Sequence, residues 1–282
     1  MSASDHIVLA TSLENPEITP SDRLYAEALM RRGFAVEGAP WDGPAEAFEG
    51  AAAIVIRSTW NYYRAIERFR AWAEEVAATT RLFNPIDLVR WNLRKDYMAR
   101  LAAAGVRVPV TRFARRDVAM IERVLAEAGW ERAVVKPASG ASGYSVELVS
   151  RGQADEALAA LASDDLLVQE FLPEIADGEV SLVYFDGVFS HAVRKTPPAG
   201  EFRVNSRYGP RRTLETPPQP VRDQGAAALR VLPAMPLYAR VDGIVRDGTL
   251  IVIEVEVLEP ALAMDLDPAS AERFAEATVR RL

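Results

Sequence analysis

Two Asp-Gly dipeptides, Asp186-Gly187 and Asp247-Gly248, each sit between two apolar runs in the last third of this 282-residue chain. Asp-Gly flanked by apolar strands is the strongest short-range hairpin signal, because a tight two-residue turn needs positive φ at both positions. Residues 180–185 with 188–193, and 237–245 with 250–257, therefore read as antiparallel strand pairs. The other end of the chain reads differently. Residues 7–10, 34–36 and 51–56 are short apolar strands. Between the first two, Ser21 caps a helix with Leu24, Ala28 and Leu29 on one face, which stops at Gly33. Strand–helix–strand in that order calls for a small parallel sheet covered by helices. The fold class is accordingly α/β at the start and α+β beyond it.

The middle supplies the joins. Residues 64–78 form a helix with Ile66, Phe69, Trp72 and Val76 along one side, and Asn84-Pro85 closes that region. A second unit opens with a helix at 94–104, ended by Gly105. It continues through a helix at 118–128, a strand at 133–136, a small-residue loop, a returning strand at 144–149, a helix at 154–162 and a strand at 166–170. Leu172-Pro173 marks a hinge. Residues 196–220, rich in Pro, Arg and Gly and without periodicity, read as one long loop of the kind used as a lid or binding segment. A helix at 269–281 ends the chain. The expected units are 1–88, 89–170 and 171–282.

Composition narrows the chemistry. The chain contains no cysteine, which excludes disulfides, thiolate catalysis and thiolate-bound zinc, and its two histidines, His6 and His191, exclude a His-rich metal site. A metal must then be held by carboxylates, which favours Mg²⁺ or Mn²⁺. A net charge of −7 argues against a general nucleic-acid binder. No apolar stretch approaches a membrane span, so the expected setting is cytoplasmic, with no nucleic-acid or membrane partner.

The segment carrying most chemistry is Tyr238-Ala-Arg-Val-Asp242 with Ile253-Glu-Val-Glu256. Strand side chains alternate, so Glu254 and Glu256 share a face. A strict two-residue turn at 247–248 sets Asp242 opposite Ile253. A bulge or an odd-length turn sets it opposite Glu254, and that arrangement is expected because it gathers three carboxylates around a cation. A solvated sheet face is the plain alternative reading of the same spacing. Upstream, Val134-Val-Lys136-Pro-Ala-Ser139-Gly140-Ala-Ser142-Gly143 places a lysine at a strand end before small residues whose N–H groups can approach phosphate closely. The Gly-Lys-Ser/Thr of a Walker loop is absent.

In this order the pieces resemble the ATP-grasp superfamily, over roughly residues 91–262. The resemblance implies an N-terminal pre-ATP-grasp domain and two α+β subdomains sandwiching ATP. It implies that Lys95 and Lys136 bind ATP phosphates together with the loop residues Ser139, Gly140, Ser142 and Gly143. Val168-Gln169-Glu170-Phe171-Leu172 resembles the adenine-binding hinge, and Gly178-Glu179 the ribose-binding glutamate. Phe202-Arg203-Val-Asn205 resembles the arginine and asparagine that face the triphosphate and the reacting carboxylate, and Asp242, Glu254 and Glu256 become metal ligands. Two departures stand out. Glu256 occupies the family's usual asparagine position, and Glu259-Pro260 falls one residue late.

Arg57-Ser-Thr-Trp-Asn-Tyr62, Leu88-Val-Arg-Trp-Asn92, Ser190-His-Ala-Val-Arg-Lys195 and Glu256-Val-Leu-Glu-Pro260 are similar to a narrower group, the cyclo-ligases that close the D-cycloserine ring from an O-ureido-serine precursor. The resemblance implies an ADP-forming carboxylate–amine ligase that uses ATP and Mg²⁺, with an acyl-phosphate intermediate. Its substrate is small and amino-acid-like, ring closure is one outcome, and monomer and homodimer both remain open. Peptide-type ligases of the glutathione synthetase or glutamate ligase kind, small-molecule kinases and non-catalytic ATP binders are the alternatives. Arg57 is a candidate fork for the substrate carboxylate, against a plain strand-end arginine. Only one of Arg194 and Lys195 can face the site, and Lys195 is the expected one. His191 reads as structural, and Trp60 and Tyr62 as substrate contacts.

Overall fold

The computed structural model describes residues 5–140 and 143–282. The chain opens as β1 (His6–Thr11), α1 (Pro20–Met30), β2 (Ala35–Pro40), β3 (Ala53–Ile56), α2 (Ile66–Thr79) and β4 (Arg81–Phe83). The strands make a parallel sheet in the order β2-β1-β3-β4. Its inner strands are continuous apolar runs, as expected of a sheet covered on both faces. Ile7, Leu9 and Val55 pack to one side, and Val8, Ile54 and Ile56 pack against Phe69 and Trp72 of α2 on the other. Thr19, not Ser21, caps α1: its hydroxyl accepts from the Asp22 N–H, with Pro20 at the first helical position.

Helices α3 (Ile86–Asn92) and α4 (Tyr97–Ala103) follow. The expected single helix at 94–104 thus begins only after a break that leaves Lys95 outside regular helix. Then come β5 (Thr111–Arg115), α5 (Val118–Ala128), β6 (Arg132–Pro137), β7 (Glu147–Ser150), α6 (Ala154–Ala159) and β8 (Asp165–Glu170), forming an antiparallel sheet in the order β5-β8-β6-β7. Ala133 and Val135 of β6 face α5 and α6, so Val134 and Lys136 face the opposite way. Strand β5, absent from the sequence reading, is an edge whose mixed, exposed pattern carries little apolar alternation.

The third sheet joins β9 (Glu179–Phe185), β10 (Val188–Thr196), β11 (Arg211–Glu215), β12 (Tyr238–Arg246) and β13 (Thr249–Glu256) in the order β11-β10-β9-β12-β13. Helix α7 (Gln219–Leu229) covers one face through Val221, Ala228 and Leu229. The long loop expected at 196–220 is therefore interrupted: residues 211–215 pair with β10, and the helix starts at Gln219. Strand β11 is mostly exposed and polar, with Leu214 its one apolar residue, and α7 is Ala-rich, so neither carries a strong periodic signal.

Helix α8 (Ala269–Arg281) returns to the first sheet. Phe274 stacks on Tyr25 at 3.9 Å, and the Tyr25 hydroxyl lies 2.8 Å from Thr278 Oγ1. Each anchors the C-terminal segment to the N-terminal unit. No helix among the described residues is long and apolar enough to cross a membrane.

Candidate active site

The uncovered faces of the second and third sheets meet across a cavity. Its floor is β12 and β13. The turn at Asp247-Gly248 has two residues, as Arg246 pairs with Thr249, and the register then shifts so that Gly243 pairs with Val252 but Asp242 with Glu254. The extra residue of this bulge is Ile253. Close pairing here depends on Gly243, where an added Cβ would lie 2.8 Å from the Ile251 carbonyl oxygen. The expected bulge is thus present, and Asp242, Glu254 and Glu256 share one face.

Each of these three residues offers an oxygen, and all three oxygens lie within 4.8 Å of one another. An all-oxygen set of this spacing fits a hard divalent cation such as Mg²⁺. Cationic side chains already compensate the carboxylates. Lys95 pairs with Glu254, and Arg240 forks onto Asp242 (2.9 Å) and reaches Glu256 at 2.6 Å. Burial pushes Asp242 and Glu254 up, but Arg240 and Lys195 for the first, and Lys95 and Lys136 for the second, outweigh it and hold both below the ordinary range. Glu256 goes the other way: burial, with Glu254 and Asp242 close by, outweighs Arg240.

Asn92 brackets Glu256. Its side-chain N–H donates to the Val255 carbonyl (2.8 Å) and its Oδ1 accepts from the Val257 N–H (2.9 Å). Asn84 does the same further along, donating to the carbonyls of Tyr238 and Val257 and accepting from the Leu237 N–H. These two buried amides lock the outer strand pair to the segment after the first sheet.

On the opposite wall Lys136 enters the cavity with no ion-pair partner among the described residues. Burial lowers its pKa to about 8, Glu254 opposing and Lys95 reinforcing the shift. Lys95 Nζ also donates to the Gly140 carbonyl at 3.2 Å. The roof is built from loops. Gly143, at φ +65°, packs so tightly against Asn205 that a Cβ would fall 2.1 Å from its Oδ1. The Tyr208 hydroxyl donates to the Gly143 carbonyl (3.3 Å). Arg203 donates to the Val146 carbonyl (3.1 Å) while its Nε and Nη2 fork onto Glu201 at 2.9 Å each. Tyr63 of the N-terminal unit stacks on Tyr144 at 5.0 Å. Beside the hinge, Phe171, Leu172, Phe202, Val204 and Ile253 form an apolar cluster suited to a flat aromatic ring.

The structure brings together Lys95, Lys136, Gly140, Gly143, Gln169, Glu170, Phe171, Leu172, Glu179, Lys195, Arg203, Asn205, Asp242, Glu254 and Glu256 around this cavity. Lys195 faces inward and pairs with Glu179 at 2.8 Å, whereas Arg194 turns away to Glu215. Ser139 is half-buried and does not line the cavity, and Ser142 lies outside the described residues. Arg57 is a correction. It is neither a surface arginine nor a fork presented to the cavity. It is buried over the Tyr238 ring, with Nε on Asp22 (2.9 Å) and Nη2 on the Pro260 carbonyl (2.9 Å). His191 is held between Ser190 Oγ and the Leu262 carbonyl, away from the cavity.

Two charged cavity residues were given no role in the sequence reading. Arg240 was legible as the residue two before Asp242 on the same strand face. Glu259 was legible only as an oddly placed Glu-Pro. It is 7% exposed, and burial, with Glu256 beside it, pushes it up to about 8.

Comparison with known proteins agrees with this layout. Residues 7–84 match the family model described as D-cycloserine synthetase DcsG, N-terminal domain, and residues 100–223 match that of the prokaryotic glutathione synthetase ATP-grasp domain. The cycloserine biosynthesis protein DcsG of Streptomyces lavendulae is 33% identical over 91% of this chain and 92% of its own length. A glutathione synthetase of Prochlorococcus marinus (strain MIT 9313) is 28% identical over 54% of this chain and 50% of that protein. The crystal structure of D-cycloserine synthetase DcsG superposes with a TM-score of 0.88 at 29% identity, covering 98% of this chain and 99% of the other. A D-alanine–D-alanine ligase from Bacillus anthracis shares the fold at 13% identity, with a TM-score of 0.69 and coverage of 97% and 96%.

Proposed function

This chain belongs to the DcsG family of ATP-grasp ligases, and from that premise we propose that it activates the carboxylate of a small amino-acid-like substrate as an acyl phosphate, then joins it to an amine, within one molecule in a ring closure. The observation carrying this reading is the set of three carboxylates on the β12/β13 floor, facing Lys136 and Arg203 across one cavity.

ATP is a substrate in this scheme. Its γ-phosphoryl group passes to a carboxylate oxygen: a C–O–P linkage forms, the bond to ADP breaks, and the acyl carbon gains a phosphate leaving group. The amine then attacks that carbon, phosphate leaves, and the amine proton goes to phosphate or water. Apolar packing at Phe171, Leu172 and Phe202 seats the adenine, and Glu179 stands where the ribose is expected. Lys95, Lys136 and Arg203 neutralise charge on the phosphates, and the loop around Gly143 offers main-chain donors. Asp242, Glu254 and Glu256 would hold Mg²⁺, which would supply neutralisation of phosphate charge. Arg240 and Lys195, both on the sheet that forms the floor, orient the carboxylate being activated. Binding releases Lys95 and Arg240 from the carboxylates they now compensate.

The match to the glutathione synthetase family model ends at residue 223, ahead of the metal strands. It supports the nucleotide half of the site and is silent on the acceptor. The more similar relatives, a cycloserine biosynthesis protein and a D-cycloserine synthetase, favour a small-molecule ring closure in antibiotic biosynthesis. The test is ADP release with Mg²⁺ across a panel of amino acids and O-substituted serines, with hydroxylamine trapping and product mass. Trapped hydroxamate, and a cyclic product from one substrate alone, are expected. Nucleotide binding with no turnover on any carboxylate sinks the ligase reading.

A further inference from the structure

A second cavity of about 280 Å³ abuts the first. The two share Lys195, Val204, Asn205, Arg240, Glu256 and Glu259. Four cations and two carboxylates line the second cavity, and most of them are already matched. Lys195 pairs with Glu179, Arg240 with Asp242 and Glu256, and Arg212 with Asp265 at 2.6 Å. Crossing these off leaves one group of each sign among the described residues. Arg207, exposed at the mouth, has only the neighbouring Tyr208 ring at 5.4 Å. Among the described residues Glu259 has no cation in contact and no hydrogen bond from another side chain. Its carboxylate faces its own main-chain N–H, with Glu256, Lys95 and Glu254 around it.

The position of Glu259 is built, not incidental. The Trp60 indole N–H donates to the Glu259 carbonyl (3.2 Å), and Arg57 Nη2 donates to the next carbonyl, that of Pro260. Arg57 is fixed in turn by buried Asp22. The segment Arg57-Ser-Thr-Trp60 therefore grips the main chain on which Glu259 sits and aims a carboxylate, more than nine-tenths buried, at the cavity. A buried carboxylate left without a cation is costly unless a cation arrives with the ligand.

We propose that Glu259 is the recognition group for the ammonium of an α-amino-acid substrate bound in this second cavity, whose carboxylate lies toward Lys195, Arg240 and Arg207. This deepens the ligase reading, on which it rests for the identity of the cavity's occupant. Glu259 is then a specificity-determining residue, and the ammonium it holds is the one left unreacted.

Equilibrium binding tests this without turnover. The full chain is loaded with Mg²⁺ and a non-hydrolysable ATP analogue and titrated calorimetrically with D- and L-serine and D- and L-alanine, each beside its α-hydroxy counterpart, glycerate or lactate. At least one amino acid is expected to bind about 10- to 100-fold more tightly than its hydroxy partner, the range of one charged hydrogen bond. Glu259→Gln is expected to bring that ratio to near one while nucleotide affinity is unchanged. A structural role alone weakens both ligands together and leaves the ratio intact, which overturns the proposal. So does equal binding of hydroxy and amino acids to the native chain, or no amino acid binding. If Glu259→Gln does not fold, Glu259→Asp, which keeps the charge and retracts it, is expected to lower the ratio part-way. An intact amino-acid preference without turnover sinks the ligase reading and leaves this one standing.

Discussion

The floor and the roof of this site are made differently. On the floor, Asp242, Glu254 and Glu256 sit on a pair of hydrogen-bonded strands whose ladder, bulge and bracketing amides set their spacing before any ligand binds. In the roof, Gly143, Asn205 and Arg203 sit on loops, held by single contacts between segments about 60 residues apart. The floor places charge, and its charges are compensated by Lys95 and Arg240. The roof supplies fit around a phosphate chain, and its parts have few partners besides one another. Pre-organised charge acts on the transition state, whereas loop contacts act mainly on binding.

That contrast is open to attack. The largest expected effect is on the floor. Glu254→Gln should lower kcat by about 10²- to 10³-fold, as removing one pre-organised electrostatic group does, with thermal unfolding and nucleotide affinity near the native values. Steady-state kinetics beside calorimetry reads this, and near-normal turnover would remove Glu254 from the metal set.

At the root of the roof, Lys136→Ala should weaken ATP-analogue binding by about 10-fold, one charged contact's worth, with a smaller change in kcat. The native chain should also lose affinity as pH rises. Free Lys136 titrates at about 8, and bound phosphates raise that value. Its contribution is therefore complete below pH 8 and fades above it. Lys136→Arg should flatten this dependence, and an unchanged slope breaks the assignment.

The smallest effect belongs to the roof's packing. Gly143→Ala adds a Cβ where Asn205 already stands, at a φ that disfavours any side chain. The loop can shift, so the expected result is a several-fold rise in the KM for ATP with stability down by only about 1 to 2 kcal/mol. A kcat loss as large as that of Glu254→Gln would mean that the roof, too, places reacting groups.

Legibility followed the same division. The two hairpins, the parallel opening and the face shared by Glu254 and Glu256 were readable, because period-two alternation and Asp-Gly turns are local signals. The bulge was inferred from chemistry and is present. Edge strand β5, strand β11 and helix α7 were not readable, because exposed edges and Ala-rich helices carry weak periodicity. Lys195 over Arg194 followed from alternation plus one correct choice of face. Arg57 was misplaced because a bidentate arginine near a site looks the same in sequence whether its partner is a substrate or a buried aspartate.

The sequence by itself determined the two hairpins, the parallel opening, the ordered ATP-grasp motifs and the carboxylate donor set, since each depends on residues a few positions apart. Only the tertiary structure decided which charges neutralise one another. Arg57 with Asp22, Arg240 across Asp242 and Glu256, and the unmatched Glu259 depend on burial and on contacts between distant segments. The strength of a charge pair is set by the water excluded around it, and that exclusion exists only once the sheets have closed.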